Sequence, residues 1–385
     1  MNTANKWESV FQKSYGTPSI NIVSGSGCYL TADDKKRYLD FIGGIATNVL
    51  GHAHPVITKT VRKQIGVLAH VSNLYANPVS LELARKLIEM TGDTDARVFF
   101  CNSGAEANEA ALKLSRKTGR TRVVSTLGSF HGRTMGALSL TGQAAKRDLF
   151  APIIEKVKYV PYGDIAAMRK AITKKTAMVI VEPIQGENGV ITPPAGYLKE
   201  IREICDSTGT LFVIDAIQTG MGRTGFWFGY EQEEIKPDVI TLAKGIGGGL
   251  PLGAMIALGS AAKLFQPGEH GSTFGGNPVS CASGLAAIAE IEKKSLNEKA
   301  LELGEYLRVK LLDVAGVSEV RGRGLLIGIG LDKPWAKEIA NFLLAKGVLV
   351  NSPNDHTIRL APPLIVTKKD CDKFIKIFKE VMQNG

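Results

Sequence analysis

The chain has 385 residues, 44% of them hydrophobic and 22% charged, with a formal net charge of +10. That length exceeds one ordinary core, and the balance is that of a soluble globular enzyme of two domains. No apolar run reaches the ~18 residues of a membrane span, and the first residues (Met1-Asn2-Thr3-Ala4-Asn5-Lys6-Trp7-Glu8) lack the apolar stretch of a secretory signal.

Five cysteines lie scattered at 28, 101, 205, 281 and 371 with no C-x-x-C pair. This points to reduced thiols in the cytoplasm and against a disulfide frame or a zinc site. The positive charge comes largely as isolated lysine pairs such as Lys35-Lys36 and Lys174-Lys175. A nucleic-acid binder gathers its cations on one face, so the expectation is a basic surface able to attract anionic small molecules, with neither nucleic acid nor membrane as partner.

In chain order, a β-rich opening (27–31, a turn at Asp33-Asp34, then 37–41) gives way near residue 55 to helices alternating with short apolar runs. Pro55 suits a helix first turn, and 80–88 has helical spacing. The apolar runs fall at 97–100, 122–124, 177–181, 211–214, 239–242 and 254–258. Near-continuous apolar strands separated by helices predict an α/β fold with a mainly parallel central sheet flanked by helices. After Asn277 a helical region runs to about 314, followed by strands at 325–329 and 347–350 and two more helices. The expected organisation is an N-terminal segment (1–50) joining a smaller α/β domain (277–385), with a large domain (51–276) between them.

Chemistry concentrates at the expected strand ends. Asp215 closes one buried-looking strand, and Lys244 follows another, ahead of Gly245-Ile246-Gly247-Gly248-Gly249. A lysine amine that can form a Schiff base and a carboxylate that can hold a proton on a pyridine nitrogen are what pyridoxal phosphate chemistry requires. Ser103 is a good helix N-cap with Glu106 in capping-box position, and small Gly104 and Ala105 would leave free N–H groups there for a phosphate. Phe130 could stack on a flat ring and Arg133 could grip a carboxylate. Glu182 and Glu187 follow a strand end, and Arg359 lies in a later strand, which suggests a carboxylate-binding arginine with an acid able to neutralise it. Ser272-Thr273 is a glycine-bracketed hydroxyl pair suited to phosphate contacts. His52 and His54 form an H-x-H with no third ligand in reach, so no metal is expected and both read as turn or interface residues.

The motifs Asp215-Ala216-Ile217-Gln218-Thr219-Gly220, the Lys244 segment, 103–109, 130–134 and 272–278 together resemble the class III, fold type I aminotransferases, over nearly the whole chain from about Tyr15 to Leu364. The resemblance implies pyridoxal 5'-phosphate as cofactor, with Lys244 as the Schiff-base lysine, Asp215 on the pyridine nitrogen and Gln218 on the ring hydroxyl. It implies that Ile217 and Phe130 pack the two ring faces and that the backbone at Gly104 and Ala105 binds the phosphate. Ala216 stands beside the ring where the family usually carries Glu, which bears on pocket hydrogen bonding. Thr273 matches a hydroxyl that reaches the phosphate from the neighbouring subunit, implying a homodimer. Arg133 and Ser272 match positions that bind N-acetylornithine, Tyr15 joins the substrate-binding set, Arg359 matches the arginine for the α-carboxylate of glutamate, and Glu187 its switch acid. The implied reaction moves the δ-amine of N-acetylornithine to 2-oxoglutarate, giving glutamate. Ornithine, succinylornithine, succinyl-diaminopimelate and 4-aminobutyrate remain alternative donors, and an aminomutase is the alternative reaction.

Overall fold

A computed structural model describes residues 3–384. Near the N-terminus, β1 (Ile22–Ser26), β2 (Tyr29–Ala32) and β3 (Arg37–Asp40) pair as an antiparallel meander. Seven strands build the central sheet: β4 (Arg97–Cys101), β5 (Arg122–Thr126), β6 (Val157–Val160), β7 (Thr176–Val181), β8 (Leu211–Asp215), β9 (Val239–Leu242) and β10 (Gly253–Ala257), in the order β4-β10-β9-β8-β7-β5-β6. The C-terminal part supplies β11 (Val317–Arg323), β12 (Leu326–Leu331), β13 (Val348–Leu349), β14 (Asn351–Asn354) and β15 (Thr357–Leu360). Of these, β13 runs parallel to β3, and the rest form a sheet ordered β11-β12-β15-β14.

The central sheet is mainly parallel, as the apolar runs predicted. Strands β5 to β9 pair in parallel, whereas β10 runs antiparallel to both β9 and β4. Every residue of β7, β8 and β9 is buried, because helices cover both faces and leave no side for polar residues. The edge strand β6 was not anticipated. Its sequence Val-Lys-Tyr-Val buries only Val160 fully, so its apolar signal is weak.

Two helices open on the same device. Pro78–Thr91 and Pro278–Lys293 each start with proline after an asparagine cap: Asn77 Oδ1 accepts from Ser80 N at 2.8 Å, and Asn277 Oδ1 from Val279 N at 2.9 Å. Proline at the first helical position loses no hydrogen bond, and each asparagine supplies an acceptor for an otherwise orphaned N–H. The region after Asn277 is two helices, because Ser295 at φ 47° breaks it before Leu296–Leu312.

One apolar core lies around the central sheet. A second joins Leu39, Phe41 and Leu50 to Leu307, Ile327 and Phe374, so N-terminal and C-terminal segments share one interior. Phe41 and Phe374 stack with ring centres 4.6 Å apart. Between these bodies the carboxyl ends of the parallel strands open, the place where α/β sheets bind ligands.

Candidate active site

Strands β8 and β9 are in register with Asp215 opposite Thr241, so Asp215 and the segment leading to Lys244 leave the sheet side by side. Lys244 adopts φ 50°, a left-handed conformation that costs a non-glycine residue about 1 kcal/mol. Strand β4 leads to Asn102 and Ser103, β5 to Phe130 and β7 to Glu182 at the same edge. These groups line a cavity of about 490 Å³ that also holds Gly104, Ala105, His131, Arg133, Ile217 and Gln218.

Asp215 is buried and held from several sides. Its Oδ2 lies 2.7 Å from His131 Nδ1 and accepts from Asn108 Nδ2 at 2.9 Å, while Oδ1 accepts from Ile217 N at 3.1 Å. Asn108 is fixed in turn: its Nδ2 also donates to His131 O at 2.7 Å, and its Oδ1 accepts from Thr241 Oγ1 at 2.8 Å. The carboxylate is therefore preset in one orientation, as a buried polar network requires. Asn108 sits within a predicted motif, but its role was missed. The available signal was a polar residue on the apolar face of a helix, buried among Ala107, Ala110 and Ala111.

The helix Gly104–Arg116 begins as its sequence suggested, with Ser103 Oγ accepting from Glu106 N at 3.2 Å. The reciprocal half differs from a standard capping box. Glu106 reaches past Ser103 to Asn102, taking its backbone N–H at 2.5 Å and its side-chain amide at 3.0 Å. The N–H groups of Gly104 and Ala105 have no carbonyl within the helix to bond, and both residues line the cavity at the positive end of the helix dipole. Small residues make this approach possible. A Cβ on Gly104 would stand 2.6 Å from Ile217 Cδ1, and one on Gly132 would stand 2.7 Å from Ala105 Cβ.

The ionisable groups are tuned by burial. Burial lowers the Lys244 amine below the ordinary lysine range; Glu187 opposes this, Arg359 adds to it, and Asp215 and Glu182 oppose it. Burial pushes Glu182 up to about 7, with His131 opposing and Asp215 reinforcing. Glu182 Oε2 accepts from Phe130 N at 3.1 Å, so this acid also fixes the backbone that carries the ring. Arg359 is buried and lies 2.5 Å from Glu187 Oε1. Its Nε donates to Asn351 Oδ1 at 3.0 Å and its Nη1 to Gln218 Oε1 at 3.1 Å. Burial would raise Glu187, but Arg359, with Lys244 and Lys146, outweighs it and holds the carboxyl below its usual range.

The cavity thus brings together Lys244, Asp215, Gln218, Ile217, Phe130, Gly104, Ala105 and Arg133, with Glu187 and Arg359 paired beside it. Ala216 is fully buried in the β8 extension rather than lining the cavity. Ser272 and Thr273 lie instead on an adjoining depression shared with Asn102. There Ser272 Oγ accepts from Asn102 Nδ2 at 3.2 Å and from Gly275 N at 3.0 Å. Tyr15 stands 79% exposed and does not line the cavity. His52 and His54 each face an acid, Asp40 at 2.8 Å and Glu290 at 3.8 Å, and no cluster able to hold a metal occurs among the described residues.

Residues 10–382 match the family model of class III aminotransferases. The chain belongs to that family. It is 51% identical over 380 residues to an acetylornithine aminotransferase of Mycobacterium leprae, covering 97% of this chain and 94% of the relative. It is 52% identical over 362 residues to an acetylornithine aminotransferase of Streptomyces coelicolor, covering 93% and 90%. Among solved structures, an ornithine aminotransferase from Toxoplasma gondii with partial occupancy of pyridoxal phosphate at its active site superposes with a TM-score of 0.94. It is 29% identical, covering 98% of this chain and 93% of that one.

As a class III aminotransferase the chain acts on small molecules with pyridoxal phosphate as its cofactor, and its own residues fit that group. The cavity offers a lysine, a buried aspartate able to pair with a protonated ring nitrogen, and an aliphatic and an aromatic side chain suited to the faces of a flat ring. It adds a helix N-terminus cleared of side chains for the phosphate.

Proposed function

We propose that this aminotransferase carries the δ-amine of N2-acetyl-L-ornithine to 2-oxoglutarate, releasing N-acetyl-L-glutamate 5-semialdehyde and L-glutamate, in the cytoplasmic route to arginine. The observation that carries this reading is the Glu187–Arg359 pair beside the cavity, with Arg133 on its wall. One pocket must admit a donor whose reacting end is an amine and an acceptor whose reacting end carries a carboxylate. An arginine masked by an acid for the first and bared for the second meets that need. The names of the curated relatives support the same donor.

In this reading, bound pyridoxal phosphate supplies an electron sink for the carbon that loses its proton. Asp215, preset by His131 and Asn108, keeps the ring nitrogen protonated. Lys244 would hold the cofactor, and its Nζ would carry the proton at the reacting carbon. The depressed basicity of that amine suits a group that must be neutral to accept a proton near pH 7. Gln218 Oε1 accepts from Arg359, which leaves Nε2 free to serve the ring hydroxyl, and Ile217 and Phe130 would pack the two ring faces. Arg133 takes the α-carboxylate of the donor and the distal carboxylate of the acceptor. Arg359 takes the α-carboxylate of the acceptor once Glu187 swings away.

The active unit is proposed to be a homodimer in which Thr273 and Ser272 serve the neighbouring site. Thr273 is exposed in the single chain, and Leu74, Tyr75 and Phe274 beside that loop are 85%, 69% and 57% exposed. Asn73 ties the two segments together through Gly275 O at 2.8 Å. The proposed division is a large domain at 51–276 with 1–50 and 277–385 as the smaller body, supported by the core those two segments share.

A coupled assay for glutamate tests the reaction. Glutamate should form only when N-acetylornithine and 2-oxoglutarate are both present. Loss of donor without formation of glutamate would remove the transfer reaction and leave an internal amino shift in its place.

A further inference from the structure

Lys146 lies outside every motif in the sequence reading, yet its ammonium stands against Phe130, a residue of the cavity wall. Its Nζ sits 5.3 Å from the centre of the Phe130 ring, and the guanidinium carbon of Arg133 sits 5.6 Å from the same ring. Phe130 and Arg133 both line the cavity. The lysine is held there by Gln143, whose Oε1 accepts from Nζ and whose Nε2 donates to Gly128 O at 2.9 Å. The charges that Lys146 senses are those of the substrate site: burial lowers its pKa, Glu187 raises it, and Arg133 and Arg359 lower it further.

We propose that Lys146, together with Arg133 over Phe130, selects amino donors whose far nitrogen is acylated and rejects donors with a free second ammonium. This rests on the reading that Arg133 holds the donor's α-carboxylate. The α-nitrogen is bonded to the same carbon, so it lies within a few ångströms of that carboxylate and of Arg133, with Lys146 placed against the same Phe130 ring. In N-acetylornithine that nitrogen is a neutral amide, and the far end carries one negative charge. In ornithine it is an ammonium, and the far end is neutral overall. A second cation near Arg133 therefore strengthens binding of the acylated donor, whereas in the free diamine the ammonium offsets the carboxylate and cancels that gain, and specificity is this difference of affinities. The uncancelled attraction of opposite charges about 8 Å apart at an effective dielectric constant near 20 corresponds to roughly tenfold or more in affinity.

The test compares kcat/KM for N-acetylornithine and ornithine in the wild type, Lys146→Met and Lys146→Arg holoenzymes. Lys146→Met should lower the acetylornithine-to-ornithine ratio about tenfold, with KM rising for the first donor and little changed for the second. Lys146→Arg should keep the wild-type ratio. Calorimetric affinity for N-acetylnorvaline, which lacks the reacting amine, should fall about tenfold in the Met variant and hold in the Arg variant. An unchanged ratio in Lys146→Met, or an equal fall in both variants, overturns the role of Lys146 and leaves the donor reading standing. A wild type that shows no preference for the acylated donor overturns both.

Discussion

Arg359 and Glu187 meet 2.5 Å apart, the arginine 1% exposed and the acid 22% exposed. They are unequal partners. Arg359 is pinned by Asn351 and Gln218 as well, whereas among the described residues no other hydrogen bond holds the Glu187 carboxylate. The acid is therefore the part able to move, and the arginine stays in place for either substrate. Arg359→Ala should raise the KM for 2-oxoglutarate about a hundredfold through loss of a charge-assisted pair, while the N-acetylornithine half-reaction changes much less. Half-reaction kinetics measured separately would decide it, and equal damage to both halves would count against a switch.

Glu187→Gln removes the charge that masks the arginine. The donor half-reaction should slow about tenfold, because an unmasked cation is left facing an apolar stretch of the donor. The 2-oxoglutarate half should be kept or improved. A uniform slowing of both would instead show that Glu187 shapes the pocket without switching.

Lys244→Ala should abolish turnover and the visible absorbance of the lysine-bound cofactor. Persistence of either would sink the assignment of this residue. The variant should remain folded, since it removes a side chain from a cavity wall.

Gly104→Val places a side chain where Ile217 Cδ1 lies 2.6 Å from a Cβ. Cofactor affinity should fall at least tenfold, because the ring-packing residue and the phosphate-binding helix end would be forced apart. Spectroscopic titration of the cofactor-free protein with pyridoxal phosphate gives the number directly. Unaltered affinity would place the phosphate elsewhere.

Glu182 provides a pH test. Its carboxyl is raised from 4.5 to about 7 in the folded protein, so between those values the folded chain keeps a proton that the unfolded chain has lost. The unfolded state then binds fewer protons, and stability falls as pH rises through that window. Glu182→Gln should remove this fall. Melting temperatures of the cofactor-free protein between pH 5 and 8 would show it, and parallel profiles for the two proteins would refute the assignment.

The parts of the site set by local chain chemistry were legible in the sequence. A buried apolar run ending in Asp215, the glycine-rich stretch after Lys244 and the Ser103 cap each announce themselves over a few residues, and the structure places all three at one sheet edge. What escaped depends on contacts between distant segments. Asn108 meets Thr241 across 133 positions, and Arg359, in the C-terminal sheet, meets Gln218 across 141. Lys146 was hidden for the same reason: in sequence it is one of many lysines, and only the fold lays it over Phe130. Thr273 shows the converse, since a motif that reads as phosphate-binding stands outside the cavity of its own chain.

The measurement that bears most directly on the central claim is a single-turnover comparison of donors on the cofactor-loaded enzyme. N-acetylornithine, ornithine, succinylornithine and 4-aminobutyrate would each be mixed with it, and the loss of visible absorbance followed in time. Fastest conversion with N-acetylornithine is the predicted result. Faster conversion with another of these donors would contradict the substrate while leaving the aminotransferase intact.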